Sequence, residues 1–508
     1  MPAMSRKPSF PRPSRTVGIA IAVAALGGCT VGPDYVSSAP DAPQDWTSWR
    51  SADPSLVAAP GTDAAMPADW WTSFHDPVLD DLVTQALAAS PDLETAALHF
   101  AQARIQRSVT SSAGIPQVGA GADVTRQRQS EYGAGTRLFD AIGSDRDALA
   151  KLLSQPFTLY RGGFDASWEI DLWGKVRRSI EAADATIAQQ GALLDQARLS
   201  VASEVASTYF ELRTSQRDIA LLREDIALLR DRISLVKARV DGGLDSHGVL
   251  DLEDVTLHGM EARLPAMLAQ EAAHVNAIAL LLGKTPGSLK DTLAPRGGET
   301  VQLPPDLSLG LPSEVALRRP DVRAAEAGMH AATARIGVAV ADLYPSIRLG
   351  GGFGLESYRS QNLFDWASRN WSIGPSLDLP LFDGGRRRSV VKLRKLEQRE
   401  AAVAFQTTVL KSWQEIDNAL NRSMAARQEH ESLAKKLGAT RSSLGIAQAR
   451  YDSGAINYLD LIDAKRALIQ ARRELSDNEG QLAVSYVTVN KAIGNTPQIS
   501  LGGDVAHR

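Results

Sequence analysis

The sequence predicts a mainly α-helical protein with a small transmembrane β-barrel part. A long coiled-coil tunnel would continue from four strands per protomer, and a homotrimer would close them as a 12-stranded barrel. Three observations predict this class: the 508-residue chain is written twice, each half contains one very long proline-free stretch with coiled-coil spacing, and each half places two alternating segments before it. Composition narrows the rest. The balance of 55 Lys and Arg against 59 Asp and Glu offers no basic face for nucleic acid. A single Cys excludes a disulfide framework and a multi-cysteine zinc site. Mean hydropathy is below zero, and no apolar run approaches the length of a membrane-spanning helix, which excludes a polytopic helical membrane protein but not a β-barrel.

At the start, Arg6, Lys7, Arg12 and Arg15 precede the apolar run from Val17 to Leu26. A basic stretch, a short apolar run and small residues make a secretory signal. Leu26-Gly27-Gly28-Cys29 resembles a bacterial lipobox, which implies cleavage before Cys29, diacylglycerol on its sulfur and acylation of the new amino terminus. The alternative is an ordinary signal with an incidental Cys. Thr30, in place of the Asp that retains many lipoproteins at the inner membrane, points to outer-membrane sorting. Two or three acyl chains anchor stably where one does not. Processing would remove four cations and no acid, leaving a net charge of -8 from 51 cations and 59 acids.

The repeat appears at two fixed offsets. Pro91-Asp92-Leu93 and Pro116-Gln117-Val118 are answered, at one constant spacing, by Pro320-Asp321-Val322 and Pro345-Ser346-Ile347. Ala238 to Gly243 and Leu282 to Pro286 are answered, at a second and slightly shorter spacing, by Ala449 to Gly454 and Ile493 to Pro497. The expected organisation is a signal at 1–28, a lipidated leader at 29–75, a first repeat at 76–300, a second at 301–497 and a tail at 498–508.

Each repeat opens with an expected helix, Leu79 to Ser112 or Ser313 to Asp342; Asp76-Pro77 supplies an N-cap and a first-position proline for the former. Period-two alternation then predicts strands around Val118–Val124, Phe164–Leu172, Ile347–Leu355 and Trp371–Leu381. Asp165, Glu169, Asp171 and Asp378 fall on their polar faces. The stretches Arg126 to Arg161 and Ser357 to Asn370 read as external loops. Lys175–Asp241 and Arg386–Asp452 follow, each about 100 Å long if helical. Their 3–4 spacing, as in Val205, Thr208, Leu212, Ser215, Ile219, Leu222, Ile226, Leu229, Ile233, Val236 and Val240, is a left-handed coiled-coil seam. Turns at Gly243 and Gly454 start shorter returning helices, capped by Ser246 or Asn457 and ending near Gly283 or Gly494.

Four strands cannot close, since membrane barrels need at least about 8. Three copies give 12, with a pair of copies as the alternative. Trp168, Trp173, Trp366 and Trp371 lie at or beside strand ends, where an interfacial girdle would put them; the alternative is a soluble β-sandwich core.

Taken together, Leu26 to Cys29, Val31-Gly32-Pro33-Asp34-Tyr35, Trp168 to Gly174, Leu311 to Glu314, Arg318 to Val322, Ala341 to Ile347 and Pro380 to Arg386 resemble the TolC-like outer membrane factors. The resemblance is to their lipoprotein branch, which pairs with resistance-nodulation-division (RND-type) efflux pumps. It covers essentially the whole mature chain. It implies a homotrimer crossing the outer membrane and reaching into the periplasm, docked through a periplasmic adaptor protein to an inner-membrane RND-type pump. No cofactor is implied beyond the lipid on Cys29, and no enzyme activity.

The turns at Gly243 and Gly454 would be the periplasmic tips. Asp460 and Asp463, at i and i+3, share a helical face and would form a ring of six carboxylates at the narrow end of a trimer. The resemblance implies that acids at this spacing form the pore constriction. It also implies links that hold the helices shut, with Asp251, Asp254 and Tyr451 as candidates. Ile456 stands where the family's other version has an arginine, so the gate is expected to rely less on ion pairs and more on apolar contact from Tyr458 and Leu459. Gly283-Lys284-Thr285 lacks the first glycine of a phosphate loop, Ile278 standing there. Glycines 350–352 and 354 fit close strand packing better than a nucleotide site. Scattered Met and His give no metal pattern, which favours organic cargo. The competing functions are a protein-secretion channel and a trimeric coiled-coil surface lipoprotein.

Overall fold

The structure is a computed structural model that describes residues 30–37, 43, 45–47, 49–50, 52–57, 67–133, 146–296, 304, 309 and 312–498. The signal peptide, Cys29 and the tail from residue 499 lie outside the described residues. In chain order the helices and strands are α1 (Pro77–Ala89), α2 (Pro91–Ser112), β1 (Gln117–Gln127), α3 (Arg146–Leu153), β2 (Phe157–Ile170), α4 (Lys175–Asp241) and α5 (His247–Leu281). There follow α6 (Pro312–Arg318), α7 (Pro320–Ala341), β3 (Ser346–Ser357), β4 (Arg369–Asp378), α8 (Arg386–Asp452) and α9 (Tyr458–Ala492).

The long helices match their expected ends, 67 residues in each repeat. The opening helices do not. Each breaks before a proline, at Ser90-Pro91 and at Arg319-Pro320, because a residue preceding proline is driven out of the helical region. Ser90 has ψ 128°. The two breaks receive the glycine that ends the returning helix. A side chain on Gly283 (φ +67°) would meet the Ala89 carbonyl at 2.9 Å, and one on Gly494 (φ +72°) would meet the Arg319 Cα at 2.8 Å. The Arg-Pro-Asp motif is thereby explained: buried Arg319 forks onto Asp321 (3.0 and 2.6 Å) and reaches Glu415 (2.6 Å) and the Ala492 carbonyl (2.5 Å).

Contacts divide the chain into two compact units, and each draws on both repeats. One contains the described residues up to Val36, Arg104–Thr186 and Met329–Glu400; the other runs from Ser37 to Ala103, over Ile187–Gly328, and from Ala401 onward. The second unit holds the main apolar core. Trp70, Phe74, Leu79 and Leu82 pack there with Val205, Tyr209, Phe210 and Leu212 of α4, Ile278 of α5 and Tyr486 of α9. Burial pushes the Tyr209 hydroxyl up to about 12, aided by its hydrogen bond to Asp76.

The first unit holds one antiparallel sheet of order β1-β2-β3-β4. Register sorts its side chains into two faces. Ala120, Phe164, Phe353 and Trp371 form one cross-strand row, and Val118, Ala166, Gly351 and Ile373 the next. The other face carries Asp123, Arg161 and Glu356 in one row and Glu169, Arg348 and Ser376 in another. Ion pairs join Arg161 to Glu356 (2.9 Å) and Arg348 to Glu169 (3.2 Å) on this polar face. Asp165 and Asp378 also belong to it. Asp171 does not, because β2 ends at Ile170; its carboxylate instead caps α4 through the Val176 (3.1 Å) and Arg177 (3.0 Å) amides. β2 also begins earlier than expected, at Phe157, and β4 ends earlier, before Leu379 and Leu381. The stretch read as a loop from Arg126 to Arg161 thus contains α3 and parts of two strands. Glycine serves close strand approach at Gly163, where a Cβ would lie 2.7 Å from the Phe353 carbonyl.

Of the four tryptophans, Trp371 and Trp366 are exposed at 70% and 74%. Trp168 donates to the Gly114 carbonyl (3.0 Å), and Trp173 donates to the Pro345 carbonyl (2.7 Å) while stacking on Tyr344. Among the described residues no helix is long and apolar enough to cross a membrane.

Candidate gate at the helical turns

Both long helices end in the same backbone motif. The Leu244 amide reaches back to the Arg239 carbonyl (2.7 Å) and Gly243 to Val240 (2.9 Å); Ala455 reaches Arg450 (2.8 Å) and Gly454 reaches Tyr451 (2.8 Å). Such a termination needs a left-handed residue. Gly243 has φ +70° and Gly454 φ +74°, with open space around both. Glycine is required at these turns by the backbone and not by packing.

Side chains then treat the two turns differently. In the first, Arg239 forks onto Asp245 (2.6 and 3.2 Å), and this hydrogen bonding holds the Asp245 carboxyl below its ordinary range. In the second, Ile456 takes the place of Asp245 in the repeat register, so Arg450 has no such acid. Fixation comes instead from a capping box, in which the Asp460 amide donates to Asn457 (3.1 Å) and the Asn457 amide donates to Asp460 (3.2 Å). Ser246, the first repeat's cap, makes no side-chain capping bond.

Asp460 and Asp463 are both exposed but differently engaged. Asp460 is held by its own helix start, whereas Asp463 pairs with Arg232 of α4, which also binds Glu253 of α5 at 2.7 Å. Arg232 therefore ties three helices of the second unit together. It was missed from the sequence because its partners are 21 and 231 residues away and no local pattern links them. Ion pairing is thus present at this level although Ile456 stands where an arginine was the family alternative. At the same turn Tyr451 and Tyr458 meet with ring centroids 5.3 Å apart, and Lys465 sits over Tyr458 at 5.6 Å.

Asp251 and Asp254 make no hydrogen bond or ion pair among the described residues; the neighbouring Glu253 makes the link. These acids are not the register counterparts of Asp460 and Asp463, which are Val249 and Leu252. A shift of two positions turns a side chain by about 200° around a helix. A further titratable site lies higher on α4. Asp218 faces Asp477 of α9, and burial, together with the hydrogen bond that its protonated form donates to that second carboxylate, raises it to about 7. Arg473 stands 3.9 Å away. Among the described residues no cluster of His, Cys, Asp and Glu could hold a metal ion.

Comparison with known proteins agrees with this architecture. The profile of the outer membrane efflux protein family matches residues 82–284 and 311–495. Outer membrane protein OprJ of Pseudomonas aeruginosa is 29% identical over 494 residues, 96% of each chain. The outer-membrane channel OprN superposes with a TM-score of 0.78 at 28% identity, covering 93% of this chain and 100% of that one. The open-state MtrE outer membrane channel of Neisseria gonorrhoeae gives 0.75 at 26% identity, covering 93% and 100%. Two faces on one sheet, paired 67-residue helices with glycine turns, and these likenesses lead to one conclusion: the chain is a member of the outer membrane efflux protein family and serves at the outer membrane as the exit duct of an efflux system.

Proposed function

We propose that three copies of the chain close a 12-stranded barrel and continue as a helical tunnel, passively passing small organic molecules outward. A periplasmic adaptor and an inner-membrane RND-type pump would feed it, and lipid on Cys29 would anchor it. The sheet carries this reading, because its apolar face is exposed while its edge strands β1 and β4 have no outer partner among the described residues. Open strand edges are not tolerated in a bilayer. The helices attached to those edges carry matching unpartnered stripes. Leu98, Ile105 and Val109 are exposed on α2, which leads into β1; Leu393, Leu396, Val403 and Leu410 are exposed on α8, which follows β4. Steps of 3, 4 and 7 suit helix pairing between copies.

The turns at Gly243 and Gly454 are proposed as the periplasmic end. Asp460, Asp463, Tyr451, Asp251 and Asp254 would line or brace its constriction, with Arg232 as the tie. Single-channel conductance in planar bilayers should rise when Asp460 or Tyr451 is replaced by Ala; unchanged conductance removes them from the gate. Cysteines placed on β1 and β4 should crosslink copies into a trimer, and a dimer or an intrachain product would refute the barrel. A deletion strain challenged with antibiotics, dyes, solvents and metal salts should gain sensitivity to organics; sensitivity to metals alone would reverse the cargo class.

A further inference from the structure

The opening stretch of α8, Arg386 to Arg399, contains seven cations and one acid, Glu397. Two of the cations are occupied, Arg387 by Asp383 (3.6 Å) and the Asp342 carbonyl (2.5 Å), and Arg394 by Glu397 (2.7 Å). Arg386, Arg388, Lys392, Lys395 and Arg399 are exposed and have no carboxylate partner among the described residues. Helix stability does not account for them, since cations at a helix N-terminus oppose its dipole. That terminus is already capped by Asp383, which accepts from the Gly385 (3.0 Å) and Arg387 (3.2 Å) amides. Just before the cations, Leu381 and Phe382 are 89% and 92% exposed.

The sheet register gives this patch its location. Ile170, Ile347 and Leu377 form the row at one end of the sheet, and β4 leaves from that end toward Leu381. The amino-terminal strap reaches the same end, with the Val31 amide on the Trp173 carbonyl (3.2 Å) and Thr30 against Gly174. Cys29, the expected lipid site, immediately precedes Thr30 in sequence. We infer that Leu381, Phe382, Arg386, Arg388 and Lys392 form a docking surface for anionic phospholipid headgroups of the leaflet that holds the anchor.

The dimensions agree. Arg386 to Lys392 spans about 9 Å of helix, close to the headgroup layer of roughly 5–8 Å on each side of the hydrocarbon core. An apolar pair followed by basic residues is the pattern of a membrane-surface contact. A free phosphate would use the cations but leave Leu381 and Phe382 in water. A second copy fits less well by charge, because the edge leading into β1 has no acid from Leu98 to Gln117 and contributes Arg104, with Arg107 already paired to Asp184 (2.9 Å).

The inference rests on the barrel reading. Conductance in planar bilayers of pure phosphatidylcholine and trimer formation in phosphatidylcholine nanodiscs test that reading separately. Full-length trimer would then be compared in phosphatidylcholine nanodiscs with and without phosphatidylglycerol, reading thermal midpoint and retained phosphatidylglycerol by native mass spectrometry. Phosphatidylglycerol should raise the midpoint and be retained. R386Q/R388Q/K392Q should weaken retention about five-fold per cation removed, while R386K/R388K should keep it. Three outcomes overturn the proposal: no effect of phosphatidylglycerol on the wild type, equal stabilisation by inorganic phosphate alone, or a Gln variant that falls to monomers in neutral lipid.

Discussion

Where α4 leaves the sheet, Lys175 pairs with Asp342 (2.7 Å), Arg177 with Asp171 (3.3 Å), and Arg178 with Asp34 and Glu181 (2.7 Å). At the same place in the second repeat, Arg386 and Arg388 have no acidic partner among the described residues, and Lys392 and Lys395 replace Glu181 and Asp184. The turns diverge likewise, a fork of Arg239 on Asp245 against a capping box at Asn457. Backbone geometry has been kept through the duplication while the charges have been reassigned. The lesson is that a repeat register transfers secondary structure and does not transfer partners.

The sharpest test of that divergence is at the helix breaks, where Ser90 answers Arg319. Both are buried, at 2% and 4% exposure. Arg319→Ala should destabilise the protein by about 3–5 kcal/mol, since it strips Asp321, Glu415 and the Ala492 carbonyl of one shared donor. Ser90→Ala should change little, because its hydroxyl is buried without a partner. Denaturant unfolding of the two variants measures the contrast, and equal losses would mean the breaks are fastened alike.

Next in size is Asp218, whose repeat counterpart Glu429 accepts from the Asn478 side-chain amide (3.2 Å). The Asp218 carboxyl is raised to about 7 by burial and by Asp477. A folded-state value above the unfolded one means that the folded protein holds the proton more tightly. Its contribution is therefore fully favourable near and below pH 4, declines as pH rises toward 7, and is flat above. Asp218→Asn should remove this slope, gaining on the order of 2–4 kcal/mol per protomer over wild type at pH 8 relative to pH 4. Thermal midpoints across pH check it, and parallel curves would contradict it.

How far these features were legible follows from their range. Helix ends at Asp241 and Asp452 were readable because periodicity and a turn glycine are local. The polar face was readable at Asp165 and Glu169 from alternation alone. Asp171 continued that alternation but belongs to the helix start, since two amides of the next turn compete for its carboxylate. Arg232 was invisible because Asp463 reaches it only after the second repeat folds. Replacing Arg232 by Ala therefore tests the cross-repeat tie. If the link is worth about 1 kcal/mol, open-channel population should rise roughly five-fold in bilayer recordings, and Ser443, its repeat counterpart, should be insensitive to Ala.

The smallest effect separates the two caps. Asn457 gives its side chain to the Asp460 amide and receives the Asp460 carboxylate in return, so two otherwise unpaired amides of the exposed turn are satisfied. Ser246 occupies the same register with an extended backbone, φ -86° and ψ 153°, and forms no such bond. Loss of a working cap costs about 1 kcal/mol, and loss of an idle one close to none. Asn457→Ala should thus speed amide exchange across the first turn of α9 about five-fold, with Ser246→Ala leaving α5 unchanged. Installing the first turn's device in the second, Ile456→Asp beside Arg450, should restore protection in the Asn457→Ala background. If it does not, the fork at Arg239 and Asp245 owes its hold to its own loop and cannot be carried between repeats by sequence register.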